Sequence, residues 1–123
     1  MTYRLGVDVG TSKTAAAVWD VQHATAVQLG NRSPAVPSVV LRTAEGTLLF
    51  GEAAERRAAA QPERVAREFK RRVGDTVPLV LGGAPYTAHR LMALLVQWVV
   101  GQAAHLHGGP PAGLVVSHPA NWA

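Results

Sequence analysis

The residues best suited to chemistry lie near the start of the chain, where a carboxylate precedes a glycine and two hydroxyls. Asp8 comes two residues before Gly10, and Thr11 and Ser12 follow directly. Alternating apolar residues before this turn and a second β-prone run at 14–20 predict a hairpin with a polar tip. The glycine permits close approach of the backbone, the amides beside the hydroxyls can converge on an anion, and the carboxylate can hold a hydrated cation. A magnesium nucleotide phosphate has the chemistry that such a tip would bind.

The hairpin tip differs from the two common glycine-rich phosphate motifs. The spacing from Gly6 to Lys13 and Thr14 does not fit the pattern GxxxxGK[ST]. The turn leads into a strand rather than a helix, which excludes a dinucleotide-binding fingerprint. Because a Gly-Thr-Ser tip can also be an ordinary turn, the residues alone leave both interpretations open.

Composition indicates one small globular domain with a modest core. The chain has 123 residues, of which 48% are hydrophobic and 16% charged. There is no cysteine, so disulfides and thiolate metal sites are excluded. Arg4 and Asp8 interrupt the region where a signal peptide would be apolar, and the apolar run at 91–100 is half the length of a bilayer span. We therefore expect a soluble cytoplasmic protein.

The net charge of +4 suits an anionic partner, either a nucleotide or a nucleic acid. Much of the excess is a basic run within 64–72, which we interpret as the solvated face of a helix. No nucleic-acid motif accompanies the charge, so we expect no nucleic-acid partner. The five histidines lack metal-ligand spacing, and the three tryptophans are expected in the core or at an interface.

The remaining pattern predicts the elements that position the hairpin. Short β-prone runs lie at 24–29, 37–41, 47–50, 77–81, 84–86 and 113–117. Helical patterns lie at 51–60, 63–73 and 88–107. The first three strands predict an antiparallel meander, and Thr87 is the expected N-cap of the last helix. That helix is apolar nearly all round at 91–100, so it must be buried between two layers or against a partner.

Five segments, in order, resemble the start of the nucleotide-binding domain of the heat-shock protein 70 (DnaK) chaperones. They are GVDVGTS at 6–12, PSVV at 37–40, FGEAA at 50–54, FKRRVG at 69–74 and VSHPANW at 116–122. Tyr86 and Thr87 before the long helix are also similar to the family. The resemblance implies an α/β protein with a partial actin-like ATPase (ribonuclease H-like) fold. Its mixed sheet would contain the N-terminal meander, a long buried helix and a final parallel strand.

The resemblance also implies a division of the chain and a role for the whole. Residues 1–36 and 110–123 would form a first subdomain, and 37–109 an inserted small subdomain. The chain would supply only about the first third of the family's ATPase domain, without the second phosphate loop, the second lobe or the substrate-binding domain. It would bind Mg-ATP or ADP weakly through the hairpin and hydrolyse no ATP alone.

Site roles follow by resemblance from the matched positions. Gly10, Thr11 and Ser12 would contact the β- and γ-phosphates, and Asp8 would organise Mg²⁺ through water. Lys70 would be catalytic, because it would orient the attacking water and stabilise charge on the γ-phosphate.

Three positions need separate comment. Lys13 stands where the family has a neutral polar or aromatic residue, and it would either add a phosphate contact or be solvated. Pro119 would be a hinge that relays nucleotide state, although His118 and the pair after Ala120 depart from the family pattern.

Two other functions remain as alternatives. The apolar helix and the last strand lack partners within the chain, so the protein could be a non-enzymatic module that self-associates or docks on the remainder of the ATPase domain. The basic run could bind nucleic acid, which would give steeply salt-dependent affinity.

Overall fold

Ten strands and two α-helices form the described part of the chain, residues 2–20 and 22–117 of a computed structural model. The strands are β1 (Arg4–Val9), β2 (Lys13–Trp19), β3 (Ala24–Ala26), β4 (Val36–Pro37), β5 (Val39–Arg42), β6 (Leu48–Phe50), β7 (Val65–Arg67), β8 (Leu79–Leu81), β9 (Ala84–Tyr86) and β10 (Gly113–Val116). The helices are α1 (Gly51–Ala58) and α2 (Ala88–His107), with short 3-10 helices at Pro62–Arg64 and Phe69–Arg72.

The main sheet has the strand order β10-β1-β2-β3, and β4 pairs with β2 beside the hairpin tip. Strands β1, β2 and β3 are antiparallel, whereas β10 runs parallel to β1 with Leu114 opposite Leu5. The predicted α/β class, N-terminal meander and final parallel strand are therefore confirmed. The third strand is shorter than predicted, although Val27 beyond it still donates its N–H to Ala16 at 2.9 Å.

The alternating pattern of the first two strands puts one face of the sheet into the core. Leu5, Val7 and Val9 are 2% exposed or less, and their partners on β2 face the same side. Helix α2 covers this face. Its buried residues are Ala88, Leu91, Met92, Leu95, Val99 and Ala103. The opposite side of α2 is open, because Ala93 and Gln97 are exposed.

Helix α2 begins and ends at residues with the expected capping chemistry. The Thr87 hydroxyl accepts the N–H of Arg90 at 3.1 Å, which confirms it as the N-cap. At the other end Gly108 takes the left-handed conformation, with φ of 77°, and donates its N–H to Ala104. Within the described residues no helix, α2 included, combines the length and apolar character needed to cross a bilayer.

A second sheet is centred on β5, which pairs with β6 on one side and with β7 on the other. Helix α1 packs on it through a small cluster in which Val39, Leu41 and Ala54 are buried. The β-prone runs at 77–81 and 84–86 contain strands β8 and β9, which pair as a hairpin. Its turn residues Gly82 and Gly83 have φ of 60° and 88°, a conformation that needs glycine.

The predicted helix at 63–73 is wrong. Val65–Arg67 is strand β7, with Ala66 opposite Val40, and the helical part is reduced to a 3-10 turn on each side. The apolar residues of this segment fit both periods over so short a length. Pairing with the free edge of β5 satisfies the backbone and buries Ala66, so tertiary contact overrides local helix propensity.

Because the segment is not a helix, its basic residues do not form one solvated face. The Arg64 guanidinium donates to the carbonyls of Arg42 and Thr43, at 3.4 and 3.2 Å. Arg72 lies 3.6 Å from the Asp75 carboxylate. Arg64 thus connects the 3-10 helix before β7 to the end of β5, whereas the Arg72 contact is local.

The tryptophan prediction is confirmed within the described residues only in part. Trp98 of α2 stacks on Phe50, with ring centroids 5.8 Å apart. Trp19 is half-buried at the end of β2. Trp122, like Pro119, lies outside the described residues.

Candidate functional site

The predicted site residues at the hairpin tip lie together where β1 passes into β2. The Gly10 N–H donates to the Lys13 carbonyl at 2.9 Å and closes the turn. Ser12 and Lys13 are exposed and Thr11 is half-buried, so the tip is open to a ligand. The tip thus presents two hydroxyls and one ammonium group.

Asp8 lies on the face of β1 opposite the core and is exposed. The Ser117 hydroxyl donates to its Oδ1 at 2.7 Å. Ser117 is placed by the parallel strand, since its N–H donates to the Val7 carbonyl at 2.9 Å. Sequence reasoning missed Ser117, because a contact between positions 8 and 117 follows only from the parallel pairing of β10 with β1.

Gly10 is required by the turn itself. A Cβ at this position would lie 2.6 Å from the Lys13 carbonyl oxygen, closer than real side chains approach. The prediction ascribed this glycine to close approach of a ligand. The structure shows a second reason, since only glycine permits the tight closure of the hairpin.

Two buried hydroxyls support the tip from beneath. Thr14 is fully buried and Ser38 is 3% exposed. Their oxygens are 2.8 Å apart, and the Ser38 hydroxyl donates to the Gly10 carbonyl at 2.9 Å. The Ser38 N–H also donates to the Ser12 carbonyl at 2.9 Å. Neither residue was predicted to belong to the site. The sequence signal that could have indicated Ser38 is a serine within an apolar strand pattern.

A cavity of about 350 Å³ adjoins the tip. The loop side of its lining includes Thr11, Ser12 and Lys13, and the opposite side includes Arg67 and Glu68. Glu68 has φ of 51°, the one left-handed non-glycine residue in the described chain. This conformation turns the backbone from β7 into the 3-10 helix that carries Lys70.

The structure does not bring Lys70 into the lining of this cavity. Lys70 is half-buried and stands two residues beyond Glu68. The neighbouring Phe69 is 1% exposed and anchors the 3-10 helix against α2. The predicted catalytic lysine is therefore two residues along the chain from the cavity lining, on a well-anchored element, but outside the lining itself.

An ion pair crosses the far side of the same cavity. The Arg67 guanidinium donates hydrogen bonds from both Nη atoms to the two oxygens of the Glu55 carboxylate, the one from Nη1 at 2.9 Å. The Arg67 hydrogen bond lowers the pKa of Glu55 below its ordinary value of 4.5, and Glu55 in turn raises the pKa of Arg67. The pair joins α1 to β7, the strand that leads towards Lys70.

A shallow apolar groove of about 420 Å³ runs along the outward face of the main sheet. Gly6, Ala15, Ala17, Trp19 and Val115 line it. Asp8 and Ser117 line the same groove and supply its carboxylate and hydroxyl. The small residues leave the sheet surface flat and uncovered beside the candidate site.

The donor set fits a hydrated magnesium ion and phosphates. Carboxylate and hydroxyl oxygens are the hard ligands that Mg²⁺ takes, and it commonly keeps several waters. Within residues 2–20 and 22–117, no three histidine, aspartate or glutamate side chains converge as a metal site. Any cation at the tip would thus be held by Asp8 together with water and phosphate oxygens.

Comparison with known proteins identifies the family. The family model described as "Hsp70 protein" matches residues 4–97, which include the hairpin tip, Ser38 and Lys70. The chain belongs to the Hsp70 family. The predicted resemblance and the partial actin-like ATPase fold are thereby confirmed.

Several relatives named "Chaperone protein DnaK" match nearly the whole of the present chain. The protein of Elusimicrobium minutum is 38% identical over 120 residues, covering 94% of this chain and 19% of its own length. That of Picrophilus torridus is 34% identical over 126 residues, covering 98% of this chain and 20% of its own length. That of Endomicrobium trichonymphae is 33% identical over 122 residues. The chain therefore spans about a fifth of the length of these relatives.

The five segments that resemble the Hsp70 family are not all covered by the family match and by the described residues. The segments at 6–12, 37–40, 50–54 and 69–74 lie within the family match and the described structure. The last, at 116–122, lies beyond that match, and its part from 118 onwards lies outside the described residues.

Replacing Gly10 by alanine should destabilise the hairpin by about 1–3 kcal/mol, since the new Cβ meets the Lys13 carbonyl. Gly101 is the matched control, because it lies in α2 with no atom within 4 Å of an added Cβ. Gly101→Ala should stabilise the chain by about 1 kcal/mol through helix propensity. Urea unfolding of both variants measures the difference, and an unchanged midpoint for Gly10→Ala would contradict the tight turn.

Glu55→Gln should lower stability at neutral pH and have a shrinking effect as the solution is acidified. The folded pKa of Glu55 is depressed, so its contribution is present above the ordinary value of 4.5 and is lost as pH falls through the folded pKa. The effect should be below about 1 kcal/mol, because the Arg67 and Glu55 side chains are 47% and 40% exposed. Urea unfolding at pH values from neutral to about 3 measures it. In an Arg67→Gln background, Glu55→Gln should lose this pH dependence.

Proposed function

We propose that the chain is the phosphate-binding N-terminal segment of an Hsp70-type chaperone ATPase and binds Mg-ATP or Mg-ADP through the β1–β2 hairpin tip. The observation that carries the proposal is the arrangement of this tip. An exposed carboxylate, two hydroxyls and a closed glycine turn lie together, within the residues matched by the family model.

Different residues of the tip would bind the phosphate groups and the Mg²⁺ ion. Gly10 holds the turn tight, so that the amides and hydroxyls of Thr11 and Ser12 can donate to phosphate oxygens. Asp8 would organise Mg²⁺ through water, with its carboxylate oriented by the Ser117 hydroxyl. Lys13 is exposed beside the tip and can add a charge-assisted contact to phosphate.

Lys70 is the proposed catalytic residue of the complete ATPase. Its ammonium group would orient the attacking water and stabilise negative charge at the γ-phosphate. The 3-10 helix fixes its backbone through buried Phe69. We expect weak nucleotide binding and no turnover from residues 1–123 by themselves, because they span about a fifth of the length of the DnaK relatives.

The division of the chain into subdomains is part of the same proposal. Residues 1–36 and 110–123 would belong to the subdomain that carries the phosphate hairpin, and 37–109 to an insertion. All strands of the main sheet lie in the first unit except that β4 ends at Pro37, one residue past the boundary, and the sheets on β5 and β8 lie in the second.

Calorimetry with Mg-ATP tests the site. Asp8→Asn and Thr11→Ala should each weaken binding about tenfold or more, because each removes a charged or phosphate-directed contact. Asp20→Asn and Thr25→Ala are matched controls, since both residues are exposed at the other end of the same meander. They should leave the affinity unchanged.

Two results would contradict the proposal. One is the absence of binding heat from a folded sample, and the other is an equal loss of affinity in site and control variants. Phosphate release from the chain alone, abolished in Lys70→Ala, would overturn the expectation that it does not hydrolyse ATP.

A second candidate function is non-enzymatic association through β10, either with another copy or with the remainder of the ATPase domain. Within the described residues β10 pairs with β1 alone, so its other edge is open. Leu114 and Val115 on this strand are 46% and 60% exposed, and Val115 also lines the apolar groove. An open edge beside an apolar face favours association.

Sedimentation over a range of concentrations tests association. If β10 is the interface, Val115→Lys should shift the chain towards monomer, because it places a charge in the contact. Val77→Lys is the control, since Val77 is also 60% exposed but lies outside the main sheet. A wild-type chain that stays monomeric at all concentrations would exclude self-association.

A further inference from the structure

Buried hydroxyls are scarce in this fold, and two of them meet under the hairpin tip. In the described residues the buried polar side chains are Thr14, Ser38 and Thr43. Thr43 accepts the N–H of Thr47 in the β5–β6 turn and has a local role there. Thr14 and Ser38 are 24 positions apart in sequence and contact each other directly.

The direction of the hydrogen bonds follows from counting protons. A serine hydroxyl has one proton, and that of Ser38 is donated to the Gly10 carbonyl. The Thr14 hydroxyl must therefore be the donor in its 2.8 Å contact with Ser38. The Thr14 hydroxyl thus donates to Ser38, and the Ser38 hydroxyl donates to the Gly10 carbonyl; we call this pair of hydrogen bonds the relay. The Ser38 N–H also donates to the Ser12 carbonyl.

The relay connects the tip to the element that carries Lys70. Ser38 immediately precedes β5, and the next residue, Val39, is opposite Arg67 of β7. From Arg67 the chain passes through left-handed Glu68 into Phe69–Arg72. The tip cavity is lined by residues from both ends of this path, Ser12 and Glu68 among them.

We propose that Ser38 is a positioning residue of the phosphate site. It fixes the carbonyls of Gly10 and Ser12, so that the intervening amides face outwards, and it ties this loop to the strand pair that leads to Lys70. The inference rests on the proposed nucleotide site for its ligand but not for its geometry. A residue that merely filled space here would need no hydroxyl, because a buried hydroxyl without its bonds is unfavourable.

Hydrogen exchange of backbone amides in the nucleotide-free chain tests the geometry, and Mg-ATP calorimetry tests its consequence. In Ser38→Ala the exchange rate of the Gly10 amide should rise about tenfold relative to that of Leu95, which reports on the core. The dissociation constant for Mg-ATP should rise by a similar factor. Thr43→Val is the matched control, and it should lower overall stability without a selective effect on Gly10.

A second pair of variants keeps the test decisive if Ser38→Ala does not fold. Thr14→Val removes the first donor of the relay at nearly constant volume, whereas Thr14→Ser retains it. Faster exchange at Gly10 in the valine variant, with recovery in the serine variant, supports the relay.

The outcomes separate this inference from the proposed function. If Ser38→Ala and Thr43→Val change Gly10 exchange equally, or neither changes it, Ser38 has no positioning role. If the wild-type chain binds no Mg-ATP, the proposed function fails, while the exchange data still decide the role of Ser38.

Discussion

The antiparallel pairing of β1 with β2 is the constraint on which the remaining structure depends. It runs over six residue pairs and puts Leu5, Val7 and Val9 on the core face, against α2. The period of two then necessarily puts Gly6 and Asp8 on the other face. One register thus fills the core, aims the carboxylate outwards and brings the polar tip to the end of the sheet. A slip by one residue would bury Asp8 and expose the apolar set.

The hairpin tip is held by neighbours that are distant in sequence. Ser38 fixes the tip from the position just before β5, and Ser117 fixes Asp8 from the position just after β10. Both contacts use hydroxyl side chains whose positions are set by strand pairing rather than by local turn chemistry. The candidate site is therefore assembled from three chain segments, although four of its predicted residues are consecutive. Such external support orders the loop before any ligand is present, which favours binding because less freedom is lost.

Charged side chains of the basic run at 64–72 make contacts that stabilise the fold. The basic run that raises the net charge to +4 contains Arg64, which donates to backbone carbonyls, and Arg67, which pairs with Glu55. These contacts connect the 3-10 helix before β7 to the end of β5, and β7 itself to α1, and so fix the segment that leads to Lys70. Because these guanidinium groups have partners inside the chain, their N–H donors are already engaged and fewer of them remain for contact with a polyanion. Lys13 differs, since it is exposed at the tip itself.

The sequence by itself determined the local elements and the family. Alternation in β1, the Thr87 cap and the helical pattern at 88–107 each depend on near neighbours, so they could be predicted without tertiary information. The segments shared with Hsp70 proteins likewise gave the hairpin tip and Lys70 as candidates. Tertiary structure alone decided that Val65–Arg67 is a strand, because its short apolar pattern fits either period until β5 offers an edge. It also decided that Ser38 and Ser117 support the site, since contacts across 28 and 109 positions depend on strand order and register.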